Sequence, residues 1–222
     1  MKLSAFLMTG TILLGANIAS LQYQRLAVDH PDGKSYVVER HVPAECLEVG
    51  ITPEQVWKKE DVPSACLQSF VATVGNITKI AIRDDVQIYG ELEVMAFLKK
   101  VQRTRSTVML VDSRGEEWYE HETIPGAVNI WYKFLTKPDV FPEEYRNALR
   151  QLHIIENGSG RFDFSNAPVV LLFCNGPWCS QSPRAINALL NLGYPPDKIK
   201  WYRGGIHSWK SLSLTTTAIQ AQ

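Results

Sequence analysis

Val169-Val170-Leu171-Leu172-Phe173-Cys174-Asn175-Gly176-Pro177-Trp178-Cys179-Ser180-Gln181-Ser182-Pro183 is the stretch that decides the fold. Five bulky apolar residues in a row, with no polar residue alternating between them, read as a strand covered on both faces. The run stops at a cysteine. Gly176 and Pro177 then suit a tight, curved loop, and Ser182-Pro183 predicts a helix that starts with Ser182 as N-cap and Pro183 at the first helical position. Ala185, Ile186, Leu189, Leu190 and Leu192 give that helix an apolar face, and Gly193 supplies its stop. Ligands of open α/β sheets bind beyond the carboxyl ends of the strands, which is where Cys174 stands. Loop and helix-start N–H groups there favour negative charge, so they suit a thiolate or a persulfide. Cys174 is therefore the candidate reactive residue, against the plainer alternative of a small buried residue that ends a core strand.

Outward from this unit the pattern repeats. Residues 91–100 carry apolar positions at helical spacing, and Val108-Met109-Leu110-Val111 reads as a strand that breaks at Asp112-Ser113-Arg114. A helix over 115–121 precedes Ile124-Pro125-Gly126-Ala127-Val128-Asn129-Ile130, a turn into a short strand. Residues 132–166 read as an insertion with one helix, 142–152, and a loop at Asn157-Gly158-Ser159-Gly160. A last strand over 199–202 runs to Gly204-Gly205, and 206–212 closes the domain as a helix. Strands that alternate with helices imply an α/β fold: a mainly parallel sheet with helices on both faces.

The whole chain sets outer limits. Its 222 residues suit one domain plus appendages. With 23 basic and 23 acidic residues and no long block of either sign, it lacks the footprint of a binder of nucleic acid or of an anionic membrane surface. A small molecule or a protein is the expected partner. Lys2, the apolar stretch 3–19 and the small residues Gly15, Ala16, Ala19 and Ser20 follow signal-peptide grammar, so export to the periplasm is expected. Retained, the same stretch would be a membrane anchor. The organisation expected is leader or anchor 1–20, an extension 21–84 packed on the main domain, the main domain 85–214 and a tail 215–222. Export makes Cys46 and Cys66, in the similar segments Val42-Pro43-Ala44-Glu45-Cys46 and Val62-Pro63-Ser64-Ala65-Cys66, a candidate disulfide. His121 and His207 lack ligand spacing, and neither a metal nor a cofactor is expected.

Val111-Asp112-Ser113-Arg114, Ile124 to Ile130, the strand-Cys174-loop-helix unit, Gly193-Tyr194, and Arg203-Gly204-Gly205 with Trp209 resemble, in this order, the signatures of a rhodanese homology domain. The resemblance covers about 85–214. It implies a five-stranded parallel sheet with helices on both faces, and a cysteine, Cys174 by position, that carries sulfur as a persulfide. The loop departs from the family's usual form, in which about four residues separate the cysteine from an Arg-Ser or similar pair. Counting directly places Cys179-Ser180 over that pair; matching the helix places Gln181-Ser182 there, with two residues inserted, and fits the helix start better. The loop also lacks the arginine that often lines the pocket. Arg203, after another strand end, suits an oxyanion such as thiosulfate or sulfite. Asp112 and Arg114 are expected to brace the loops, and Trp178 either walls the pocket or packs on the domain.

Three functions compete. The first is a sulfurtransferase that moves sulfur through Cys174 from a small sulfur-containing donor to a thiol or protein acceptor. The second is dithiol redox chemistry by Cys174 and Cys179 on one short loop. The third is a binding module without catalysis. Phosphatases that share the fold place an arginine six residues after the cysteine, where this chain has Ser180.

Overall fold

The computed structural model describes residues 25–39, 41, 43–46, 62–67, 79–158 and 160–218. The expected leader, 1–20, and much of the extension lie outside the described residues. In chain order come a hairpin of β1 (Leu26–Asp29) and β2 (Ser35–Val38), then β3 (Gln87–Tyr89), α1 (Glu91–Arg103), β4 (Val108–Asp112) and α2 (Glu116–His121). Next are β5 (Val128–Asn129), α3 (Tyr132–Thr136), α4 (Pro142–Gln151), β6 (Ile155–Asn157) and β7 (Arg161–Asp163). The chain closes with β8 (Val169–Phe173), α5 (Gln181–Leu192), β9 (Ile199–Tyr202) and α6 (Gly205–Ser211).

Five strands form one sheet in the order β3-β9-β8-β4-β5, and every neighbouring pair in it is parallel. The apolar run is its middle strand, so both faces of β8 must be covered. Side chains alternate across a strand. Val170 and Leu172 accordingly join Trp201, Ile186 and Leu189 in one core, with α3, α4 and α5 packed over it. Leu171 and Phe173 join Tyr202, Leu98 and Trp209 in the other, under α1, α6 and the β1–β2 hairpin. This is why the run shows no polar alternation.

Helix α1 extends to Arg103 and buries Val94, Phe97, Leu98 and Val101, one stripe at helical spacing. Its first turn is closed by the Glu93 carboxylate, which accepts the Gly90 N–H at 3.0 Å. Gly193 ends α5 in the left-handed conformation, φ +98°, as expected of a C-terminal stop.

Two expectations need correction. Helix α5 begins at Gln181 with Ser180 as N-cap, so Ser182 and Pro183 are its second and third residues. Proline is tolerated there because first-turn N–H groups have no intrahelical partner, and Ser182 is freed to point at the cysteine. The segment 132–166 contains an additional helix, α3, and two short strands, β6 and β7, pair antiparallel within it.

The β1–β2 hairpin is seated on the domain. Val28 and Val38 are fully buried beside α1, and the buried His30 accepts the Gly126 N–H on Nδ1 at 3.0 Å. Cys46 and Cys66 are joined by a disulfide. Past α6 the chain pairs with both neighbours: the Thr215 N–H donates to Glu39 C=O at 3.1 Å, and Thr217 bridges to Thr123. Among the described residues no helix is long and apolar enough to cross a membrane.

Candidate active site

Cys174 is the first residue past β8, and the backbone around it is tied down at both ends. Its C=O accepts the Ile206 N–H at 3.0 Å, and the C=O of Asn175 accepts the His207 N–H at 2.9 Å, so the loop lies against the start of α6. That approach requires glycine at 205. Its φ is +58°, and a Cβ there would stand 2.2 Å from the Cys174 carbonyl oxygen. Further on, Gly176 C=O accepts the Cys179 N–H at 2.9 Å, closing a turn whose corners are Pro177 and Trp178. The Trp178 ring meets His207 edge-on at 4.8 Å, so this tryptophan packs on the domain. Ser180 C=O then accepts the Arg184 N–H, and α5 is under way.

The folded loop brings the two thiols together. Both are free and nearly buried, with Cys174 2% and Cys179 7% exposed. They differ in what faces each sulfur. The Cys179 thiol lies beside Cys174 and the amides of Gln181 and Asn175; with the nearby Arg114 charge these outweigh burial and draw its pKa down to about 6, Cys174 being the largest influence. Burial instead pushes the Cys174 thiol well up, and the neighbouring Cys179 adds to this. Its S–H faces Cys179 C=O, at 3.5 Å, an acceptor that keeps the proton in place. These opposite shifts draw the proton toward Cys174 and the charge toward Cys179.

Ser182 secures the other side of Cys174. Its hydroxyl donates to the Cys174 sulfur at 3.1 Å and accepts the Trp201 indole N–H at 3.0 Å. Serine and tryptophan are both buried. Trp201 escaped the sequence analysis, although a buried strand indole needs an acceptor for its N–H and so signals a polar partner nearby.

Asp112 and Arg114 brace the loops. The guanidinium forks onto the carboxylate, Nε to Oδ1 at 2.9 Å and Nη2 to Oδ2 at 2.7 Å, with both side chains almost wholly buried. Arg114 also donates to Glu122 C=O and, at 3.2 Å, to the Asn175 side-chain oxygen, which ties β4 to the reactive loop. Thr123 donates to Asp112 at 2.8 Å, and the Asn129 amide donates to the backbone oxygens of Asp112 and Arg114. Arg203 is partly buried in the turn after β9, at the same end of the sheet as Cys174. Gly204 follows it beneath the Tyr202 ring, where a Cβ would stand 2.9 Å from the ring carbon Cε2. Among the described residues no group of three or more His, Cys, Asp or Glu side chains is arranged to hold a metal ion.

Residues 95–212, just over half of the chain, match the model of the rhodanese-like domain. No curated protein sequence matches the chain. Among solved structures it is similar to the BH2092 protein of Bacillus halodurans, at 20% identity and TM-score 0.38, over 57% of this chain and 74% of that one. A rhodanese with anions from E. coli is 21% identical at TM-score 0.31, over 50% of this chain and 99% of that one. A thiosulfate sulfurtransferase from Pseudomonas aeruginosa is 18% identical at TM-score 0.36, over 62% of this chain and 21% of that one. The assignment rests on the family match: this chain belongs to the rhodanese-like domain family.

Proposed function

We propose that the protein is a sulfurtransferase that takes the outer sulfur of a small donor such as thiosulfate and passes it to a thiol acceptor through a cysteine persulfide in the 174–182 loop. What carries this is the loop that brings two free, buried thiols together past the end of β8, where the neighbouring Cys174 and the loop amides draw the Cys179 pKa down to about 6. A thiol so lowered is a thiolate near neutral pH. The Cys179 thiolate attacks the outer sulfur of the donor. A new S–S bond forms as the donor's S–S bond breaks, and sulfite leaves with the electron pair. An acceptor thiolate then attacks the terminal sulfur of the persulfide, taking it away and restoring the Cys179 thiolate. Cys174 keeps its proton and holds the charge on its neighbour. Family position puts the persulfide on Cys174; the raised Cys174 thiol and the lowered Cys179 thiol favour Cys179.

Peptide mass spectrometry after incubation with thiosulfate tests this. A gain of one sulfur on Cys179 is expected in the wild type and in Cys174→Ser, with turnover at least about 100-fold lower in Cys179→Ser. A persulfide on Cys174, with Cys179→Ser turning over like the wild type, would overturn the assignment.

Two free thiols on one loop, with the Cys174 S–H 3.5 Å from the Cys179 C=O, favour a second reading, dithiol chemistry. Cys174, deprotonated, attacks the inner sulfur of a Cys179 persulfide; a disulfide forms and hydrosulfide leaves, and an external thiol reductant resets the pair. Intact mass under non-reducing conditions separates the two outcomes. The disulfide between Cys46 and Cys66 and the leader-like residues 3–19 support a place outside the cytoplasm, in an oxidising compartment. Fractionation of cells that express the full chain tests that: recovery of the protein in the cytoplasm with both thiols reduced would count against it.

A further inference from the structure

Beside the reactive loop lies a cavity of about 490 Å³, a size suited to a small molecule, bounded by α2, α3 and the start of α4. Trp131, Phe134 and Phe141 form its aromatic wall, their ring centres 5.5–5.6 Å apart in tilted and edge-to-face pairs. Trp118 stands at its margin with 53% of its surface exposed. Three carboxylates, Glu116, Glu117 and Glu144, line the same cavity, and none takes part in an ion pair among the described residues. Against them stands Lys133, whose ammonium lies 4.3 Å from the centre of the Trp131 ring. An ammonium on an aromatic face is therefore already part of the site, and the lining keeps an excess of negative charge. Aromatic faces and carboxylates attract cations alike, and both repel a dianion such as thiosulfate.

Gln181 connects this cavity to the chemistry. It lines the cavity and stands at the first position of α5, two residues beyond Cys179. We infer that the cavity binds the primary ammonium group of a small cationic thiol and presents that thiol to Cys179 as the sulfur acceptor. The role of acceptor rests on the sulfurtransferase reading, whereas the affinity for ammonium does not.

The experiment has a binding arm and a kinetic arm. In nitrogen-15-labelled protein, the indole N–H signals of Trp118 and Trp131, assigned with Trp118→Phe and Trp131→Phe, are followed while 2-(methylthio)ethylammonium is added. Saturable shifts are expected with this probe and not with 2-(methylthio)ethanol or 3-(methylthio)propanoate. The double variant Glu117→Gln, Glu144→Gln should weaken binding by about five-fold or more. In turnover, 2-aminoethanethiol should show a KM at least about five-fold below that of 2-mercaptoethanol, a gap that closes in the same variant. Equal shifts with the neutral probe, no saturable shift, or equal KM values would overturn the inference. Binding of the ammonium probe by a protein that transfers sulfur to no thiol would remove the sulfurtransferase reading and leave the ammonium site standing.

Discussion

Replacing Ser182 by alanine tests the contact on which the buried cysteine rests. In the wild type the hydroxyl accepts the Trp201 indole N–H at 3.0 Å and donates to the Cys174 sulfur at 3.1 Å, with no exposure of the serine and 2% of the tryptophan. Alanine leaves a buried indole N–H without an acceptor, which costs about 1–3 kcal/mol. Loss of the weaker donation to sulfur adds about 0.5 kcal/mol, so Ser182→Ala should lower stability by about 1.5–3.5 kcal/mol. In a Trp201→Phe background there is no indole N–H to strand, and the same substitution should cost only about 0.5–1 kcal/mol. The difference, a coupling of about 1–2.5 kcal/mol, is read from urea unfolding of the wild type, the two single variants and the double variant, with the Cys46–Cys66 disulfide left intact. A coupling below about 0.3 kcal/mol would mean that the serine is not the acceptor of the indole.

Other perturbations probe the rest of the loop. The Cys179 thiolate should form through about pH 6, so iodoacetamide should alkylate it at near full rate at pH 7 and slowly below pH 6. Because the folded pKa is lowered, its charge stabilises the fold above the unfolded value of about 8.5, and this is lost as the pH falls through the folded value. Cys174→Ala removes the largest cause and should move the alkylation midpoint upward; a wild-type midpoint near that of free cysteine would refute the assignment. Gly205→Ala would place a methyl group 2.2 Å from Cys174 O and 2.8 Å from Gly176 N at φ +58°, and thermal melts should show a loss of more than about 3 kcal/mol. Arg114→Lys keeps the charge but cannot fork onto Asp112 while reaching Asn175, so urea unfolding should show a loss of about 3 kcal/mol. A change within about 0.5 kcal/mol in either variant would mean that the loop is not held as described.

The sheet was legible because burial on both faces leaves a mark in one strand: five apolar residues in a row at 169–173 need cover above and below. The start of α5 was less legible. Ser182-Pro183 satisfies the grammar of an N-cap, yet a proline fits anywhere in the first turn, and the demand of Trp201 for a buried acceptor draws the serine inward. The β6–β7 hairpin left little trace because its strands are three residues long and mostly exposed, without the alternation that a buried face imposes. Cys174 stood out by its place at a strand end, whereas the lowering of the Cys179 thiol depends on which groups the loop brings beside it, a matter of loop path that spacing does not record. Asp112 and Arg114 were recognisable as a brace; the reach of Arg114 to Asn175 joins residues 61 apart in the chain.

The alternation in β8 also acts as a counter for the chemistry. Val170 and Leu172 face α5, Leu171 and Phe173 face α1 and α6, and Cys174 continues the even series toward Ser182. Inserting or deleting a single residue in this strand would exchange the two series and turn the thiol toward α6, out of reach of both Ser182 and Cys179. A change of two residues would restore its heading but shift it one strand repeat along the axis. The spacing between the pairing register of β8 and its terminal cysteine is thus open to change of residue type at each position, but closed to change in residue number.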